Sequence, residues 1–135
     1  MMNVQLIQSL NAEHAQLAAL LSDIRNEGSL TQKALEKITQ VKSALISHLA
    51  HEDRDFYPVM KQEAKVNPSL AKLLEVMGRD MNDIAEAALT QVASWEKGER
   101  REHFIEDCDN LISVLSDRIK REEHSLYAKY LKLAG

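Results

Sequence analysis

Four stretches of the chain carry apolar residues at the spacing of a helix face, and in three of them ionisable side chains stand inside the apolar stripe. The first stripe is Leu6, Leu10, His14, Leu17, Leu21 and Ile24. The second is Ile38, Val41, Leu45, His48, Glu52, Phe56 and Val59. The third is Leu70, Leu74, Met77, Met81, Ile84, Ala88 and Trp95, and the fourth is Phe104, Leu111, Leu115, Arg118, Glu122, Leu126 and Tyr130. A helix that is apolar on one side needs that side covered, and four such helices can enclose all the stripes. Gly28 and Gly98 mark stops, Ser29 or Thr31 caps the second helix, and Asn67-Pro68 opens the third with a cap and a proline at the first helical position. Pro58 is expected to kink or end the second helix near its tail. Short connections between helices of this length predict an all-α, up-down-up-down four-helix bundle, with residues 1–135 forming one domain.

The ionisable positions limit what such a core can be. A carboxylate in a bundle interior is costly unless it is paired, hydrogen-bonded or bound to metal. Two carboxylates at one depth, Glu52 and Glu122, repel each other, so a cation or Arg118 must compensate them. The chain also echoes itself at an offset of seventy residues. Ser47 to Tyr57 aligns with Asp117 to Tyr127, so that Glu52 meets Glu122, Leu49 meets Ile119, Phe56 meets Leu126 and Tyr57 meets Tyr127. The break falls at His48, which meets Arg118. A His and a Glu four apart project from the same side of a helix, which is how bundles hold metals.

Composition excludes several classes. The net charge of −4, with no basic stripe, gives no reason to expect nucleic acid binding. No apolar run approaches a membrane span, and no signal-peptide pattern opens the chain. A single Cys108 rules out an internal disulfide framework and fits a reducing cytoplasm, the expected location. Its neighbours Glu106, Asp107 and Asp109 raise a thiol's pKa, so it reads as inert.

The chain resembles the hemerythrin-like, HHE-type cation-binding domains. The resemblance is carried by Glu13-His14, by His48-x3-Glu52-Asp53 followed by Phe56-Tyr57-Pro58, and by Glu122-Glu123 followed by Leu126-Tyr127. It covers essentially the whole chain and implies four helices holding two irons. Carried over by position, His14 and His48 match the histidines of one iron, and Glu52 and Glu122 match the bridging carboxylates. The family's histidines for the other iron fall where this chain has Met81 and Arg118, and oxygen carriers have another near Met77. A thioether suits oxidised iron poorly, and a guanidinium cannot ligate.

Two readings stand beside the unfavoured di-iron one. In the first, His14, His48, Glu52 and Glu122 hold at most one ion (iron, with manganese or zinc as the other candidates) and Arg118 replaces the second cation. In the second, no metal binds, Arg118 neutralises Glu52 and Glu122, and the bundle acts as a protein-interaction module. The resemblance implies a metal, oxygen or nitric-oxide related binding or sensing protein, with a small diatomic ligand at the metal. Reversible oxygen carriage uses two irons, so the missing ligands argue against it. No general acid/base pair or nucleophile arrangement points to hydrolysis, although a buried Glu beside a metal could do proton work, and the reading leans against an enzyme. A homo-oligomer or a protein partner remains open. His51 is expected at the rim of the site, His103 and His124 on the surface, and Trp95 at one end of the bundle. As surface hydrophobics, Trp95, Phe104 and Tyr130 are too scattered to name an interface.

Overall fold

The computed structural model describes residues 3–134, and in it the apolar stripes become helices bracketed by the caps and stops that the sequence supplies. Helix α1 (Val4–Asn26) is capped by Asn3, whose side chain accepts from the Gln5 amide. Helix α2 (Gln32–His51) is capped by Thr31, not Ser29, through the Ala34 amide. A π-helical turn (Glu52–Phe56) joins it to α3 (Tyr57–Ala64). Asn67 caps α4 (Pro68–Glu96), the longest helix. After a 3₁₀ turn (Arg101–His103), α5 (Phe104–Glu122) leads through a second π-helical turn (Glu123–Tyr127) into α6 (Ala128–Ala134). Gly28 and Gly98 end their helices at φ of 77° and 73°, a conformation that suits glycine. Among the described residues there is no strand, and no helix is long and apolar enough to cross a membrane.

These pieces form four antiparallel columns. Asn3 meets Tyr130, His14 meets Glu122 and Arg25 meets Asp109, so position rises on α1 as it falls along α5 and α6. Glu13 meets His48 and Asp23 meets Lys37 in the same sense across α1 and α2. Helix α4 closes the square against α2 and α5.

The two π turns correct the sequence reading. Residues four apart drift by about 40° per step around an α-helix of 3.6 residues per turn. His48, Glu52, Phe56 and Met60 would therefore swing off one face, yet all four are buried. The π turn between them accommodates one extra residue and restores the line. Arg118, Glu122, Leu126 and Tyr130 are aligned in the same way. Val59, expected in the core, is consequently half-buried, and Met60 takes its place with no exposure. Pro58 does not end the helix. It lies at the start of α3, directly behind the π turn, where its missing N–H costs least.

The core is divided. One apolar cluster gathers Leu17, Leu21, Ile24, Ile38, Val41, Val92, Trp95, Phe104 and Leu111. The other gathers Leu6, Ile7, Leu10, Phe56, Met60, Leu70, Met77, Leu126, Tyr127 and Tyr130. The buried His14, His48, Glu52, Arg118 and Glu122 lie between them along the sequence of each column. On α4 no residue between Met77 and Ala88 is buried, so Met81 and Ile84 are only half-covered. Trp95, Phe104 and Tyr130 are not surface hydrophobics; their exposures are 0%, 2% and 0%. Trp95 does sit toward one end, packed 5.8 Å from Phe104.

The register shift can be tested by truncation. Met60→Ala should cost about 2–5 kcal/mol in urea unfolding, and Val59→Ala well under half of that. A larger loss at Val59 would contradict the π-turn alignment.

Candidate metal centre

Helix periodicity brings the four candidate ligands to one layer. His14 projects from α1, His48 from the last turn of α2, Glu52 from the adjoining π turn and Glu122 from the end of α5. All four are buried, and one ligand atom from each lies within 4.8 Å of all the others, a grouping that could hold a metal ion. His14 Nε2 is 3.2 Å from Glu122 Oε1, and His48 Nε2 is 3.5 Å from Glu52 Oε1.

Outer carboxylates fix both imidazoles. His14 Nδ1 donates to Glu123 Oε2 at 2.8 Å, and His48 Nδ1 donates to Glu13 Oε1 at 2.7 Å. A carboxylate on Nδ1 sets the ring orientation and directs Nε2 inward, the usual support for a metal-ligating histidine. In the sequence Glu13 and Glu123 stand only as part of the family motif. Their position beside His14 and Glu122 was the one signal of this role, and it becomes specific only when two helices meet.

Protonation follows the same contacts. Burial pushes the Glu52 carboxyl up to about 9, and the neighbouring Glu122 adds to this against the opposing bond from Tyr127. Burial alone would raise Glu122 too. The His14 hydrogen bond and the Arg118 charge outweigh it, and Glu122 is held below the usual carboxylate range. Burial opposes a charge on His14, but carboxylates at both its nitrogens hold its pKa above the ordinary value. His48 goes the other way, chiefly through burial, which favours a neutral imidazole with a free lone pair. The Tyr127 hydroxyl donates to Glu52 Oε2 at 2.7 Å, while Glu52 Oε1 has no hydrogen-bond partner. A buried carboxyl oxygen without a hydrogen-bond partner, beside two inward-facing imidazoles, fits a cation that replaces the Glu52 proton at this point.

The other half of the layer does not fit one. Arg118, 2% exposed, donates to Glu122 Oε2 at 3.0 Å and to the Met77 carbonyl at 3.0 Å. Its guanidinium also lies 3.7 Å from Met77 Sδ and 3.5 Å from the Tyr57 hydroxyl. Met81 lines a cleft of about 340 Å³ between α3 and α4 instead of facing the layer. A second cation would meet the fixed positive charge of Arg118 and the Met77 thioether.

The remaining expectations separate cleanly. His51 stays at the rim: its Nδ1 shares Glu13 with His48, at 2.7 Å, and its Nε2 lies 3.4 Å from Asp55. His103 and His124 are exposed. Arg54–Asp55 and Arg121–Asp80 are solvent-facing pairs of small energetic weight. Cys108 is buried, and burial more than its acidic neighbours pushes its thiol up to about 12.

No curated protein and no solved structure matches the chain. The sequence model of the hemerythrin HHE cation-binding domain matches residues 5–130, nearly the whole length. A four-column helical bundle with a buried His/Glu cluster at its centre is what that match requires, and the chain belongs to the hemerythrin HHE cation-binding domain family.

Proposed function

We infer that this protein binds one metal ion, iron, through His14, His48, Glu52 and Glu122, and serves as a binding or sensing protein for the metal or for a small diatomic ligand. The observation that carries the reading is Arg118. Its guanidinium donates to the outer oxygen of Glu122 where the family has a second metal, while the first metal's four donors remain convergent. Two imidazoles and two carboxylates suit iron, with manganese and zinc as competitors. A bound iron would supply redox and coordination chemistry toward a small diatomic ligand. The chain's own residues hold the imidazoles through Glu13 and Glu123 and exclude bulk water by burial. The cleft beside Tyr57, whose hydroxyl lies 3.4 Å from Glu122 Oε2, offers a small molecule a route toward the layer.

Carriage of oxygen as peroxide draws one electron from each of two irons, and one ion does not supply that pair. A metal-free bundle acting as a protein-interaction module, with Arg118 neutralising the glutamates, is the competing reading, favoured by the Arg118–Glu122 pair alone; metal content decides between them.

Elemental analysis after anaerobic and aerobic purification should find about one equivalent of metal in wild type and well under a tenth in His48→Ala, as expected for loss of one of four ligands. Less than about a tenth of an equivalent in wild type, with no thermal shift on adding iron or manganese, would sink the proposal.

Metal binding must displace the proton on Glu52, whose pKa stands above neutrality, and the Nε2 proton favoured on His14. Affinity should therefore rise with pH between about 7 and 9, with about one to two protons released per ion. Calorimetry in buffers of different ionisation enthalpy measures this; affinity that falls with pH would exclude Glu52 as a ligand.

In the metal-free protein Arg118→Leu should cost about 3–5 kcal/mol, because it removes the one fixed cation from the buried Glu122 and leaves it only the His14 and Tyr57 contacts. Unchanged urea stability would show that the guanidinium is not neutralising a buried carboxylate.

A further inference from the structure

The repeat within the chain places a tyrosine five residues after each glutamate of the layer, Tyr57 after Glu52 and Tyr127 after Glu122. Around an α-helix a residue five further on points about 140° away. Each glutamate–tyrosine interval contains a π-helical turn, and each tyrosine reaches the other half's glutamate. Tyr127 donates to Glu52 at 2.7 Å, and Tyr57 reaches Glu122 at 3.4 Å. Around the layer the two halves part at the residue four before each glutamate. Arg118 stands where the first half has His48, and it takes Glu122 Oε2 at 3.0 Å, leaving Tyr57 the longer contact.

The outer oxygens are therefore both occupied from within the chain. Glu52 Oε2 holds the Tyr127 hydroxyl and Glu122 Oε2 holds the Arg118 guanidinium. The inner oxygens, Oε1 of each, face His48 and His14. Tyr127 also lies flat against His14, with centroids 5.4 Å apart and planes 5° from parallel, and its hydroxyl is 3.4 Å from His14 Nε2. It is 1% exposed, so water does not compete for its hydroxyl.

We propose that Tyr127 is a positioning residue of the metal site: by capping Glu52 Oε2 and stacking on His14 it holds Glu52 as a one-oxygen ligand, as Arg118 does for Glu122, and so restricts the layer to a single divalent cation. The assignment rests on the one-metal reading above. It makes the crossed tyrosine the device that converts a carboxylate able to bridge two metals into one that serves a single metal.

The test is a cobalt(II) titration followed by visible absorption, with Tyr127→Phe and Tyr130→Phe beside wild type. Tyr130 is an equally buried phenol whose hydroxyl accepts from the Asn3 amide, away from the layer. Wild type should bind about one equivalent. Tyr127→Phe should bind about 10–100-fold more weakly, the usual effect of losing an outer hydrogen bond to a ligand, with displaced bands because Glu52 is free to turn both oxygens inward. Tyr130→Phe should keep wild-type affinity and bands. Tyr127→Phe with wild-type affinity and bands, in a titration where wild type binds, overturns the role of Tyr127 and leaves the one-metal reading intact. Wild type that takes up no cobalt overturns both. Infrared difference spectra of cobalt-loaded wild type give a measure independent of any variant. One-oxygen ligation widens the separation of the carboxylate stretches, and a narrowed, chelating separation overturns the proposal.

Discussion

Two glutamates at one level of a helical bundle govern the rest of this structure. Glu52 and Glu122 are almost fully buried and within reach of the same four-donor cluster, and like charges at that distance in a dry interior cannot both persist uncompensated. Each surrounding feature answers that demand. Arg118 lies against Glu122, Tyr127 donates to Glu52, His14 bonds Glu122 and Glu123 at once, and burial keeps Glu52 protonated at neutral pH. The layer is held by hydrogen bonds from all sides, and the apolar clusters on either side of it seal it from water.

That demand also explains the irregular helices. An unbroken α-helix could present His48 and Glu52 together but would rotate Phe56 and Met60 away from the core beneath them. A single π turn after Glu52 keeps the ligand pair and the apolar floor in line, and the same device recurs after Glu122. Such turns cost regular hydrogen bonding and recur at functional sites. Here they set both the facing of the ligands and the crossing of the tyrosines. The column that supplies no ligand, α4, has no buried residue between Met77 and Ala88. Its Met81 faces a cleft, and its contribution to the layer is the Met77 carbonyl that receives Arg118.

Much of the architecture was legible in residue spacing. The four stripes, the Asn67-Pro68 start, the Gly28 and Gly98 stops and the burial of His14, His48, Glu52 and Glu122 follow from periodicity, while the reading of those four as a ligand set came with the family resemblance. The family match over residues 5–130 agrees with the motifs that carried the resemblance. Other features were not legible. A stripe drawn at constant α-helical pitch places Val59 in the core, and only the π turn moves Met60 there. Trp95, Phe104 and Tyr130 read as scattered aromatics because their neighbours lie on other helices. Glu13 and Glu123 carried no assigned role, since a hydrogen bond to Nδ1 depends on how two helices are rotated against each other.

The sequence by itself therefore determined which ionisable side chains are buried, because burial of His14, His48, Glu52, Arg118 and Glu122 follows from their places in apolar stripes; that they meet in one layer is decided by the packing of the columns. Tertiary structure alone decided which oxygen of each glutamate faces inward and which is capped. That choice turns on contacts of 2.7 to 3.0 Å between residues far apart in the chain, Tyr127 with Glu52, and between neighbours one turn apart, Arg118 with Glu122. Helical spacing sets the direction of a side chain to within a face. The packing of four columns and two π turns sets it to within a hydrogen bond, and the difference between a bridging carboxylate and a one-oxygen ligand lies at that finer scale.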